Sequence, residues 1–365
     1  MRLHLYIARR FLRAFLSMLF VLAMIFVLLD MVEGMRKFDA ASVGFTNVLG
    51  LTLLNAPVWM YRILPLIVIL STVWMFLSLA RSSEMVVTRA AGRSALMTLI
   101  SPVLTVFLFG ILAVAIGNPI AAGTTKKYER IAAQYEGGGA SVLSIASDGV
   151  WLRQGNETGQ TVIRADRSNL EGTELFDVTF FSFAPEGPPT LRIEAASARL
   201  EPGYWAIRGA KVWDLVSDAN PETTAIEYPM FTLASNLTLE QIRDSFGKPS
   251  AIPIWDLPKF IRQLEAAGFS ARAHRVWLHM ELAMPFFLVA MVLIGAGFTM
   301  RHTRFGRTGV MVLFALMMGF GAYFIRNFAQ ILGENGQIPI LLAAWAPPIA
   351  AILMPMGILL HLEDG

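Results

Sequence analysis

The chain has 365 residues, of which 55% are hydrophobic and only 16% charged, against about 25% charged in a soluble domain. With a mean hydropathy of +0.55, this excludes an ordinary soluble protein. A net charge of +3 does not point to nucleic acid, because the arginines stand beside apolar runs, where basic residues set topology. The absence of cysteine excludes disulfides, a thiolate nucleophile and Cys-ligated metal.

A membrane-spanning helix needs roughly 20 mostly apolar residues, and six such runs occur along the chain. The first, residues 14–29, follows Arg2, Arg9, Arg10 and Arg13. No small-residue cleavage site precedes Asp30, so the run is expected to stay as an anchor. The second is 63–80 and the third lies within 94–117. The fourth is 282–300, the fifth 308–325, and the sixth lies within 338–360. The second-to-third connection carries Arg81, Arg89 and Arg93, and the fourth-to-fifth carries Arg301, Arg304 and Arg307. Basic loops face the cytoplasm, which predicts cytoplasmic termini and an extracytoplasmic middle segment.

That segment, residues 118–276, opens with a polar helical stretch through Tyr128 and Tyr135 and breaks at Gly137, Gly138 and Gly139. Short runs rich in β-branched and aromatic residues follow at 149–153, 161–165, 176–183, 190–198 and 210–215. Turn residues such as Glu201-Pro202-Gly203 separate them. Leu191, Ile193 and Ala195 alternate with Arg192 and Glu194, the pattern of a strand with one wet face. The pattern predicts an antiparallel β-sandwich or jelly roll. Thr238 with Gln241 has capping-box spacing, and Asp256-Leu257-Pro258 opens a helix that Gly268 closes. The predicted fold is therefore an α-helical membrane protein with six spans and an all-β domain. Its segments are 1–117, 118–276 and 277–365.

Catalytic motifs are missing. His4, His274, His279, His302 and His361 lack zinc-site spacing; Gly247-Lys248 runs into Pro249 rather than a Walker sequence; and no nucleophile elbow occurs. Charges at the edges of spans, namely Asp30, Arg62, Glu281 and Arg326, either snorkel to the interface or face a lipid head or one another. Ala315 and Gly319 have the spacing of a close helix approach. Between the second and third spans, Ser82 or Ser83 can cap a short helix with Glu84 in its first turn, and Gly92 supplies the stop. About nine residues make a rod of roughly 14 Å, which serves as a surface connector or as a lever for a soluble motor. Two function classes follow: a transport subunit driven by a partner, and a stand-alone membrane sensor or intramembrane enzyme.

The string Arg81-Ser82-Ser83-Glu84-Met85-Val86-Val87-Thr88-Arg89-Ala90-Ala91-Gly92 resembles the coupling helix of the lipopolysaccharide export permeases, the LptF/LptG family. The order of three spans, β-domain and three spans is similar along essentially the whole chain. Gly149-Val150-Trp151-Leu152-Arg153, and Leu257-Pro258-Lys259-Phe260-Ile261 through Leu264 to Gly268, resemble the LptG side of the family. The resemblance implies pairing with an LptF-like permease, an LptB-like ATPase dimer and an LptC-like single-span protein. It implies no cofactor on this chain, with ATP on the partner. The implied task is extraction of lipopolysaccharide from a bacterial inner membrane and its delivery to a periplasmic bridge, with the β-domain in the periplasm. Ser83, Glu84, Met85, Val87, Thr88 and Ala91 are the implied ATPase contacts. Arg36 and Lys37 are the implied lipid-head contacts, with Arg62 and Arg326 as further candidates. Asp30 departs from the pattern, since the better-known LptG has lysine there.

Overall fold

The computed structural model describes residues 2–37, 44–82, 84, 94–135, 143–146, 149–156, 159–169, 173–184, 187–216, 220–238, 248–300 and 308–363. They form two units: 1–138 with 250–255 and 272–365, and 139–249 with 256–271.

In the first unit α1 is Arg2–Lys37, α2 Phe45–Arg62 and α3 Leu64–Arg81. Helix α4, Ala95–Leu112, runs through a π-helical turn at Ala113–Gly117 into α5, Asn118–Tyr135. The Ala115 carbonyl in that turn accepts a bond from the Trp255 indole N–H at 3.0 Å, as expected where the i→i−4 ladder is broken. Helices α7, Arg272–Thr299, α8, Thr308–Glu334, and α9, Ile340–Glu363, complete the unit. Among the described residues, six helices are long and apolar enough to cross a membrane: α1, α3, the α4–α5 rod, α7, α8 and α9.

Helix α2 is an addition to the predicted elements. It ends at Arg62 because Pro65, near the start of α3, has no N–H to give and a fixed φ suited to a first helical turn. Val48 and Leu51 of α2 pack on Ala132, Tyr128 and Ile131 of α5, so the polar end of the third rod belongs with the helices. Ser94 caps α4, its hydroxyl accepting from the Met97 N–H at 3.1 Å.

Helix α7 is the centre of the unit, apolar and buried from Ala283 to Gly297 apart from exposed Phe286 and half-buried Val289. Small residues let neighbours approach it. A Cβ on Gly110 of α4 would stand 2.7 Å from the Pro285 Cα, and one on Gly295 would stand 3.0 Å from Thr72 of α3. The predicted small-residue pair on α8 is a helix contact: Ala315 is fully buried, and a Cβ on Gly319 would meet Ile69 of α3 at 2.5 Å.

The second unit holds a seven-stranded antiparallel sheet in which each strand pairs with the next. The strands are β1 Leu143–Ala146, β2 Gly149–Asn156, β3 Gly159–Ser168, β4 Glu174–Phe183, β5 Pro189–Glu201, β6 Tyr204–Asp214 and β7 Ile226–Ala234. The two-layer packing of the all-β expectation is made by this one sheet folding over. Gln154 on β2 accepts from the Trp205 indole on β6 at 3.3 Å and from Ser235 at 2.7 Å, and donates to the Ala234 carbonyl at 3.2 Å. Strands that are four apart in order thus meet across the interior.

A crease makes the fold-over possible. Asp166, Asp177, Ala196 and Gly209 face one another at one level across β3 to β6, and none joins the pairing on either side. The inward face shifts by one residue there, from Ile163 and Ala165 to Ser168, and from Ile193 and Ala195 to Ala198. Asp177 and Gly209 adopt positive φ of 53° and 64° at this level. Glycine, which has no Cβ, adopts that conformation freely, and Asp is among the few residues with a side chain that are enriched in it.

Helix α6, Leu257–Ala266, buries Leu257, Ile261 and Leu264 on one stripe. It ends as the sequence predicts. Gly268 has φ of +87°, while the Gly268 and Phe269 N–H groups return to the carbonyls of Glu265 and Leu264 at 3.0 Å. The helix predicted to follow Thr238, with Gln241, lies outside the described residues, as do Gly137 to Gly139.

Candidate functional site

The end of α3 and the N-terminal third of α1 share one polar cluster. Arg10 lies two turns into α1, on the face toward α3, and its Nη1 donates to both carboxylate oxygens of Glu84 at 2.6 Å. Its Nη2 donates to the Ser78 hydroxyl at 2.8 Å. Tyr6, one turn earlier on the same face, accepts from Arg10 at 2.6 Å and donates to Glu84 at 2.9 Å. Ser82 donates to the other oxygen at 2.7 Å. Partial burial pushes the Glu84 carboxyl upward, but the bonds from Arg10, Ser82 and Tyr6 outweigh it and hold the group below its usual range. This is a charge-assisted latch between the first span and the start of segment 82–92.

Ser82 caps the C-terminus of α3, its hydroxyl within reach of the Ser78 carbonyl at 3.0 Å, which leaves Ser83, outside the described residues, as the other N-cap residue that the sequence offers. Glu84 is satisfied within its own chain, whereas its position alone suggests only a helix cap or a partner contact. The signal for Arg10 is weak in sequence: it is one of four arginines before the first span, 74 residues from Glu84. Ser83, Met85, Val87, Thr88 and Ala91 lie outside the described residues.

At the opposite end of α1, Arg36 and Lys37 occupy the last helical turn and are exposed. Basic groups are favoured there by the partial negative charge of the helix C-terminus. Arg62 is also exposed and lies 5.0 Å over the Trp59 ring, which stacks on Phe26 of α1 at 5.9 Å. Asp30 accepts from the Asn55 amide at 2.7 Å, so this acid ties α1 to α2.

Arg326 differs from the other three candidates. It is 9% exposed, with its guanidinium 5.3 Å over Phe287, and it interacts electrostatically with Glu281, which is 1% exposed and accepts from the Tyr61 hydroxyl. Of the alternatives for charges at span edges, Glu281 and Arg326 take the internal one. Nearby, Asn118, also buried, accepts from the Ile254 N–H at 2.9 Å. Among the described residues, no group of three or more His, Asp or Glu side chains could hold a metal ion.

Six spans, a β-unit inserted in the chain after the third, and a carboxylate at the head of the segment after the second can be compared with known proteins. A family model of the lipopolysaccharide export system permeases LptF/LptG matches residues 5–361. The chain belongs to the LptF/LptG family. It is similar to the lipopolysaccharide export system permease protein LptG of Escherichia coli strain K12, 24% identical over 353 residues, covering 96% of this chain and 93% of that protein. It is also similar to LptG of Haemophilus influenzae, 21% identical over 364 residues and 98% of each chain. An LptF/LptG member is a permease subunit of lipopolysaccharide export, and the latch and the basic end of α1 therefore belong to a transporter subunit.

Proposed function

We propose that this chain is the LptG half of a permease that withdraws lipopolysaccharide from the inner membrane and hands it to a periplasmic bridge. ATP is hydrolysed on a partner. The partners are an LptF-like permease, an LptB-like ATPase dimer and an LptC-like single-span protein. The observation that carries this reading is the match to the LptF/LptG family along residues 5–361. The Arg10–Glu84 latch adds a mechanical route: segment 82–92 engages the ATPase, and a push on that segment reaches α1 through a charged, partly buried bond rather than through a loose loop.

At the other end of α1, Arg36 and Lys37, with Arg62 nearby on its Trp59 platform, meet the phosphorylated lipid head. Unit charges attract a phosphate strongly where water is partly excluded. The test is co-purification of the tagged full-length chain with a soluble ATPase, followed by ATPase assays with and without lipopolysaccharide. A nucleotide-binding partner and lipid-stimulated hydrolysis are expected. Replacing Arg36 and Lys37 together by Glu is expected to cut lipopolysaccharide crosslinking and lipid stimulation while the complex still assembles. A chain that purifies without any nucleotide-binding partner overturns the reading in favour of a stand-alone membrane sensor or enzyme.

A further inference from the structure

Beside the latch, α1 and α3 enclose an open groove of about 710 Å3, within the size range of small-ligand sites. Arg9, Arg10, Arg13 and Ser17 line it from α1, and Trp74 and Ser78 line it from α3. We propose that this groove binds the phosphate headgroup of an anionic phospholipid from the leaflet in which it lies. The inference rests on the reading of α1 and α3 as membrane spans, and it needs none of the export partners.

The argument begins with charge. Of the three guanidinium groups on the groove, only Arg10 is neutralised, by Glu84. Arg9 and Arg13 are exposed and have no hydrogen-bond or carboxylate partner among the described residues. They stand four residues apart on α1, so their side chains rise one above the other, about 6 Å apart along the axis. Two stacked, unneutralised forks suit a phosphate diester, whose oxygens accept from planar guanidinium groups.

Shape and depth select a lipid over a free anion. The groove continues from the arginines to Ser17, which lies inside the apolar run of α1. Its other wall is Trp74, 53% exposed. An indole at this level is a usual interfacial anchor, with an apolar body against the chains and a polar edge at the headgroups. Basic pockets between spans are a known mode of anionic lipid recognition. The latch supplies rigidity: Arg10, bonded to Glu84 and Ser78, fixes the distance between the two helices that form the walls. Arginines acting only as topology signals need neither a second wall nor a fixed one.

The full-length chain in nanodiscs of phosphatidylcholine doped with a headgroup-photoactivatable phosphatidylglycerol tests this, with crosslinks mapped by mass spectrometry. Labelling is expected to concentrate on the α1 and α3 peptides of the groove. Arg9→Gln with Arg13→Gln is expected to lower it roughly tenfold, since each basic side chain at a membrane surface contributes to anionic lipid attraction. Trp74→Ala, from the other wall, is expected to lower it as well. Lys126→Gln with Lys127→Gln, which removes the same charge from exposed positions on α5, is expected to leave it unchanged. Excess inorganic phosphate is expected not to compete. Undiminished labelling in the arginine or tryptophan variant overturns the proposal. So does equal loss in the lysine control, competition by inorganic phosphate, or displacement by lipopolysaccharide in preference to phosphatidylglycerol. Loss of the ATPase partner with labelling retained would sink the proposed function alone.

Discussion

Among the described residues the Glu84 carboxylate accepts from the side chains of Arg10, Tyr6 and Ser82, so its removal and its neutralisation have separable effects. Glu84→Gln keeps a hydrogen-bonding amide and loses the charge, while Arg10→Gln leaves Glu84 with Tyr6 and Ser82. A double-mutant cycle between positions 10 and 84, read by thermal unfolding of the purified chain, is expected to give a coupling of about 1 kcal/mol. It stays small because the carboxylate is more than a third exposed and water screens it. Transport is expected to fall in both single variants, and a coupling indistinguishable from zero would show that the latch does not form. The pH dependence has a fixed sign. The folded-state pKa of Glu84 is depressed, so the latch contributes fully above the unfolded carboxyl value near 4.5 and is lost as pH falls through the lower folded value. The buried pair behaves differently. Glu281→Ala strips the Tyr61 hydroxyl of its acceptor and removes the carboxylate that interacts electrostatically with Arg326; the unmade hydrogen bond alone costs about 1–3 kcal/mol. The amount of folded chain recovered from membranes is expected to drop sharply, and less so for Glu281→Gln. Near-normal recovery of Glu281→Ala would mean that Arg326 finds another partner. Neither pairing could be read in sequence, since Glu281 and Tyr61 are 220 residues apart and only the packing of α2, α7 and α8 brings them together.

Elements were legible where one period dominates. The apolar runs of the six spans exceed any competing signal, and strands β2 to β6 announced themselves by β-branched and aromatic residues between turn residues. Helix α2 did not, because Asn47, Gly50, Asn55 and Pro57 interrupt its apolar residues, and its burial comes from α5, an element that itself reads as polar. Strand β7 carries Pro229 in its middle and presents mostly exposed side chains, as an edge strand permits. The crease across β3 to β6 was hidden because its signal is a one-residue change of inward parity, visible only once the strands are in register. The end of α6 shows the reverse case, where one residue type decides. Gly268 combines φ of +87° with a Cβ position only 1.8 Å from the Ser168 carbonyl oxygen, next to the Ser168 N–H bond to Ala267 at 2.8 Å. Gly268→Ala is thus expected to destabilise the β-unit by at least about 1–2 kcal/mol from backbone strain alone, with the clash adding to it. Thermal unfolding or limited proteolysis of the full-length chain measures this. An unchanged profile would show that α6 is not anchored to β3 through this contact.

At the scale of the molecule, the helices divide by how much apolar surface their own chain covers. Helix α7 is mostly buried, whereas little of the apolar surface of α1 and α8 is covered. Phe20 and Leu28 on α1 and Phe320, Phe324 and Phe328 on α8 remain outside, and in a bilayer such faces meet lipid or another chain. Orientation then decides what each end of α1 can do. The Arg9, Arg10 and Arg13 end is expected in the cytoplasm because short segments rich in arginine are retained there, which puts Arg36 and Lys37 at the outer leaflet. An inverted chain would carry its latch on the side without ATP, and the coupling route would have no source of energy. A chain without native cysteine makes the test clean. A single cysteine replacing exposed Asn220, in the turn before β7, is expected to react with a membrane-impermeant maleimide in intact spheroplasts. One replacing exposed His361, near the end of α9, is expected to react only after the inner membrane is opened. The opposite pattern would reverse the assignment of both ends of α1. Reaction of both cysteines in intact spheroplasts would require an odd number of spans, and one of the six helices would then lie along the membrane instead of across it.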